Sequence, residues 1–198
     1  MARIKTAKDE SRKDVILTAA AELFRERGYK ATSMRDLAEK VGIEAASLYN
    51  HIDSKQELLV DICFTITSNY SEFMTSVEQM KETTQLQKIE TILRFQIKEM
   101  VDNFNNNYVA NREWMHLDDS EQNNFREQRH QYRKRFNQII TKGIELGEIK
   151  ESINVPATVW LLLNATYGIE SWHRSRVQVP PSALEDNMIT ILISGLKK

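Results

Sequence analysis

Apolar residues recur at three- and four-residue intervals along most of the chain, and residues that start or stop helices bracket each run. From Ser11 to Arg27 the positions Val15, Ile16, Ala19, Ala20, Leu23 and Phe24 mark a first amphipathic helix, closed by Gly28. Thr32 or Ser33 can cap a second, short helix built on Met34, Leu37, Ala38 and Val41. Gly42 breaks it, the pattern buries Ile43, and a third short helix carries Leu48 and Ile52 before Asp53 or Ser54 caps the next. That fourth helix is long, with Leu59, Ile62, Ile66, Tyr70, Phe73, Val77 and Met80 on one face. A fifth runs from Gln85 to Phe104 and is expected to end at the Asn105, Asn106, Asn107 run; the segment YVANREWMHL then leads to a capped start at Asp118 to Ser120. Phe125, Tyr132, Phe136, Ile139, Ile140 and Ile144 continue the spacing to Gly147. Asn154 and Pro156 open a helix whose body, VWLLLNATYGI, is apolar on nearly every side and must therefore be covered on every side. After Pro180 and Pro181, Ser182 and Glu185 have capping-box spacing, and Leu184, Met188, Ile191, Leu192 and Leu196 face one way. With no convincing strand alternation, the expectation is an all-α chain of about nine helices.

Composition agrees. Three prolines and six glycines in 198 residues leave room for few turns, and 41% apolar content suffices for a substantial core. No apolar run reaches the length of a membrane span, the N-terminus lacks a secretory signal, and the single cysteine, Cys63, fits a reducing cytoplasm. Net charge is −1, but it is unevenly spread: residues 1–55 hold eleven Lys and Arg against nine Asp and Glu, a balance of +2 that leaves −3 for the rest. Arg3, Lys5, Lys8, Arg12 and Lys13 form a basic arm that either lies on phosphates or remains a solvated tail.

The stretch GIEAASLYNHIDSKQELL gathers polar groups with little to bury. A small residue in the preceding helix, a turn glycine able to take positive φ, and apolar residues on both helices are what a helix-turn-helix needs; Ala38, Gly42, Val41, Ile43 and Leu48 supply them in order. With Leu48 and Ile52 pinned behind, Glu44, Ala45, Ala46, Ser47, Tyr49, Asn50 and His51 are left for a partner. In a major groove, small residues permit close approach while hydroxyl, amide and imidazole groups meet bases and phosphates. Thr32, Ser33 and Arg35 are placed to clamp the DNA backbone, and Lys55 adds charge in the first turn of the fourth helix.

TSMRDLAEKVGIEAASLYNHIDSKQELL, with ILTAAAELFRERGYKAT before it, closely resembles the DNA-binding domain of TetR family transcriptional regulators over residues 12 to 60. Glu44, Ala46 and Ile52 depart from the usual Ser or Thr, Gly and Phe; a carboxylate at Glu44 would repel phosphate or choose cytosine. The resemblance implies a DNA-binding domain at 1–54 and a ligand-binding and dimerisation domain at 55–198. It also implies a homodimer through the last two helices, a double-stranded operator, and repression relieved by a small-molecule effector. The all-round apolar helix independently asks for a partner's copy.

For the effector, Tyr108, Arg112, Trp114, His116, Tyr132, Phe136, Trp160, Asn164 and Tyr167 are candidate pocket residues, with core packing the competing role for each aromatic. REWMHL, the RxxY of Arg129 to Tyr132, GIELGEI and SWHR before Pro-Pro resemble regulators of fatty-acid, aromatic-acid or sterol breakdown that respond to acyl-coenzyme A thioesters. On that likeness Arg112, Trp172, His173 and Arg174 would meet the nucleotide end; the competing role for 172–176 is a solvated helix end. A sensor of another hydrophobic molecule, such as a drug, is the alternative.

No catalytic or metal site and no cofactor is expected. His116, Asp118, Asp119, Glu121 and His130 straddle a helix start, where caps and first-turn acids explain them, and no HExxH, phosphate loop or nucleophile elbow occurs. A purely protein-binding helical adaptor is the third reading; unlike a DNA reader, it would show no loss of binding on adding salt.

Overall fold

The computed structural model describes residues 12–174 and 179–198, with the side chains of His173 and Arg174 left aside. Arg3, Lys5 and Lys8 of the basic arm lie outside the described residues, as does the side chain of Arg174. The described chain is all-α: α1 (Arg12–Arg27), α2 (Met34–Val41), α3 (Ala45–Leu48), α4 (Lys55–Glu78), α5 (Gln85–Asp102), α6 (Phe104–Arg112), a 3-10 turn (Trp114–His116), α7 (Asp119–Glu145), α8 (Val155–Tyr167), α9 (Ile169–Arg174) and α10 (Pro181–Leu196).

Local chemistry sets the boundaries. Of the two candidate caps for α2, Ser33 is the one used: its Oγ accepts from the Asp36 amide while the Asp36 carboxylate accepts from the Ser33 amide, a full capping box. Gly42 closes α2 at φ 73, a left-handed conformation that strains any residue with a Cβ. Ser54 caps α4 and Asn154 caps α8, with Pro156 in its first turn.

Several boundaries differ from the pattern-based expectation: α3 ends at Leu48, short of Ile52, the apolar run after Asn154 divides into α8 and α9, and two further ends have a clear local cause. The asparagine run does not end a helix. The break falls at Asn103, and Asn105, Asn106 and Asn107 sit inside α6. There the Asn107 amide donates to the carbonyls of Glu99 and Asn103, and its oxygen accepts the Tyr70 hydroxyl, so a 1% exposed amide is satisfied and the helix continues. At the other end, Ser182 does not cap α10. The helix begins at Pro181 without a side-chain cap bond, and Glu185 pairs instead with Arg94 at 2.8 Å.

Two apolar clusters hold the molecule together. One joins α1, α2, α3 and the first half of α4 to α6, Leu117 and Phe125; the other joins the far half of α4 to α5, α7, α8, α9 and α10. The first cluster crosses residue 54, so the helices of the N-terminal head pack directly on the helices that follow. Close to the C-terminus an isolated antiparallel bridge between Ile149 and Lys197 ties the end of α10 to the α7–α8 connection.

Candidate functional site

Leu48 fixes the first half of the site. It is wholly buried, as is Leu37 across the turn, and Ile52 is 2% exposed, so the short α3 and the turn after it are anchored from one side only. On the opposite side Glu44, Ala46, Ser47, Tyr49, Asn50 and His51 are all exposed, and Ala45 is partly so. Among the described residues none of the polar side chains in this set makes a hydrogen bond or ion pair within the protein. Arg35, exposed on α2, is likewise uncommitted. Because α3 ends at Leu48, Tyr49, Asn50 and His51 lie on the turn that follows the helix rather than on the helix itself. Glu44 stands at the N-cap of α3 without a side-chain cap bond, its carboxylate free to face whatever docks there.

Three residues expected at this surface are placed differently. Thr32 is 2% exposed, and its hydroxyl donates to the Gly28 carbonyl at 3.0 Å, so its side chain works inside the head. The Ser33 side chain is exposed but engaged with Asp36. The Lys55 ammonium turns back over the Tyr29 ring and donates to the carbonyls of Tyr29 and Thr32 at 2.9 and 2.7 Å; burial pulls its pKa down.

The second half of the site is an open-mouthed cavity of about 460 Å³ lined by α4, α6, α7, α8, the start of α9 and Met100 of α5, a volume suited to a small organic molecule. Of the expected residues it gathers Arg112, Tyr132, Trp160, Asn164 and Tyr167. Others lie elsewhere. Phe136 is wholly buried in the second cluster, Trp114 stacks on Phe125, His116 stacks on Tyr29, Tyr108 packs beside Phe104, and Trp172 packs against the second cluster. Arg112 is tied at the rim to Glu170, 3.2 Å away. The sequence pattern missed Thr67, Asn111, Gln128 and Arg133, polar residues that the lining includes. The signal was present in the four-residue recurrence Phe125, Arg129, Arg133 on α7, which sets one face toward the hollow; it was masked because that face is mixed rather than apolar.

Cavity and head are physically joined. The Glu113 carboxylate, one residue beyond Arg112, accepts the Tyr29 amide at 3.1 Å and lies 3.5 Å from the His116 imidazole. The Tyr29 ring stacks on that imidazole and also carries the Lys55 ammonium 4.4 Å from its centre, and its hydroxyl bonds the Gln56 side chain at 2.8 Å. Cys63 lies buried in the first cluster, where burial pushes its thiol up to about 12, and it packs there as a small apolar group. Among the described residues no three His, Cys, Asp or Glu side chains stand close enough to hold a metal, and no helix is long and apolar enough to cross a membrane.

Comparison with known proteins places this architecture. The HTH-type transcriptional repressor KstR2 of Mycolicibacterium smegmatis is 25% identical over 191 residues, covering 94% of this chain and 91% of that protein. The solved ketosteroid transcriptional regulator KstR2 of Mycobacterium tuberculosis superposes with a TM-score of 0.88 at 21% identity, over 99% of this chain and 100% of that one. AibR, solved in complex with isovaleryl coenzyme A and operator DNA, gives 0.80 at 19% identity over 92% and 98%. Residues 16–62 match the family model of bacterial regulatory proteins of the tetR family, and residues 82–196 match the tetracyclin repressor-like C-terminal domain. Those two matches span most of the chain, from the capped helix pair to the helices around the cavity: it belongs to the TetR family of transcriptional regulators.

Proposed function

We propose that the chain is a homodimeric repressor that binds operator DNA through residues 1–54 and is released from it when a small molecule enters the cavity of residues 55–198. The observation that carries this reading is the one-sided anchoring of α3: Leu48 fully buried behind an exposed row of Ser47, Tyr49, Asn50 and His51 whose side chains nothing else among the described residues engages. Hydroxyl, amide and imidazole groups presented together on one anchored turn suit the base edges and phosphates of a groove. Trp160 and Leu161 of α8 and Ile191 of α10 are 65, 56 and 62% exposed, an apolar surface that a second copy would cover. Two heads would then meet half-sites about 34–36 Å apart, or a multiple of that spacing. Binding DNA and a metabolite, it acts in the cytoplasm.

The effector class we favour is an acyl-coenzyme A thioester, supported by the sequence likeness at REWMHL and SWHR and by the coenzyme A ligand in the solved AibR complex. The acyl part would occupy the cavity and the nucleotide would lie at the rim, near Arg112; Glu170 must release Arg112 for that residue to take part. Another hydrophobic small molecule is the second reading, favoured by the aromatic wall of Tyr132, Trp160 and Tyr167. DNase protection on the DNA upstream of the gene is the test. A protected near-palindrome that reopens with micromolar acyl-coenzyme A supports the reading, and no protected region in that DNA overturns it.

A further inference from the structure

Among the described residues the cavity is lined by more positive charge than negative. Its lining contains Arg112, Arg129 and Arg133 against a single carboxylate, Glu170, and that carboxylate is already held by Arg112 at the rim. Arg129 and Arg133 are four residues apart on α7 and so share a face. Neither has a carboxylate within ion-pair distance among the described residues, whereas Arg94 and Arg135 on neighbouring surfaces pair at 2.8 and 2.6 Å. Arg129 is half-buried, with its guanidinium 5.6 Å from the Phe125 ring centre and 5.9 Å from that of Tyr167. Its hydrogen bond to the Tyr167 hydroxyl is long, 3.5 Å. A planar five-donor group held between two rings, partly out of water, has donors left to give. Beside it the Tyr132 hydroxyl accepts the Gln96 amide at 2.7 Å, which leaves the phenol hydrogen available.

We propose that the effector presents an oxyanion, a carboxylate or a phosphate, to Arg129, which binds it in forked geometry between Phe125 and Tyr167, with Arg133 adding charge from the mouth. The apolar remainder of the molecule lies along Ile66, Met100 and Leu163. The inference rests on the cavity being the effector site. It adds the residue that reads the ligand's charge, and it requires that a neutral isostere bind poorly.

Calorimetry on the whole protein tests this with decanoate, decanamide and decanoyl-coenzyme A, on the parent chain, on Arg129→Gln and on Arg126→Gln. Arg126 lies over the Trp114 ring outside the cavity, so its variant controls for loss of charge on α7. Decanoate should bind the parent at least about tenfold more tightly than decanamide. Arg129→Gln should weaken the acid by about ten- to hundredfold and leave the amide where it was. Binding of the thioester alone, weakened in the same variant, would support the inference with phosphate as the source of the oxyanion. Equal binding of acid and amide, indifference to Arg129→Gln with its melting temperature unchanged, or no binding of any probe would overturn it. A probe that binds through Arg129 yet leaves the protein on DNA would uphold the anion site while contradicting effector-driven release.

Discussion

Tyr49 is 53% exposed and its hydroxyl meets no other side chain among the described residues, so deleting that oxygen removes nothing from the fold. Tyr49→Phe should weaken operator binding by about three- to tenfold, the worth of one hydrogen bond, with an unchanged melting temperature. Binding isotherms and thermal unfolding on the same sample check both halves. Lys55→Ala should behave differently. Its ammonium holds the carbonyls of Tyr29 and Thr32, so its loss should lower stability by about 1–2 kcal/mol and weaken DNA binding by loosening the head. The contrast between these residues marks what a linear pattern conveys. Leu48, Ile52 and Gly42 are legible because burial and a left-handed φ select their residue types directly. The inward turn of Lys55 and the burial of the Thr32 hydroxyl are not, since both depend on carbonyls brought close by tertiary packing.

At the scale of elements, α2 depends on an acid-sensitive cap. Asp36 accepts the amide and hydroxyl of Ser33 and, at 3.1 Å, the Arg27 guanidinium, and the Ser33 hydrogen bonds hold its carboxyl below the usual range. Glu57 in the first turn of α4 is lowered as well, first by Lys13 and then by the Asp53 amide. Carboxylates depressed in the folded state stabilise it above their unfolded range and lose that contribution as pH falls. The head should therefore weaken on acidification below about pH 4. Melting temperatures across that range should fall less steeply for Asp36→Asn than for the parent. Helix identity and order were largely readable from spacing and caps. One exception is α6, whose three asparagines look like a stop in sequence and become helical because Tyr70 and two carbonyls satisfy Asn107.

For the whole molecule, the join at Glu113 and Tyr29 offers a route by which a ligand at the rim could shift the head. Glu113→Gln keeps the shape but weakens the bond to the Tyr29 amide, so more effector should be needed to release DNA, with effector affinity for the free protein little changed. Comparison of calorimetry with release curves checks this; release unaffected by the change would remove the contact from the route. The exposed apolar surface of α8 and α10 makes a second demand. Leu161→Glu should give monomers in light scattering and abolish operator binding, because one head alone makes half the phosphate contacts. The all-round apolar character of α8 was visible in the sequence. The cavity was only partly so, because Arg129 and Arg133 are surface residue types whose placement against a hollow is fixed by how α7 rotates on α4 and α8.

The most direct test is the affinity of the purified protein for a duplex carrying its own upstream DNA, measured by fluorescence anisotropy as salt is raised. The account predicts a steep linear fall of log affinity with log salt, about −0.9 for each phosphate neutralised, at a stoichiometry of two chains per site. Affinity that ignores salt, or no preference for that duplex over one of scrambled sequence, would contradict it.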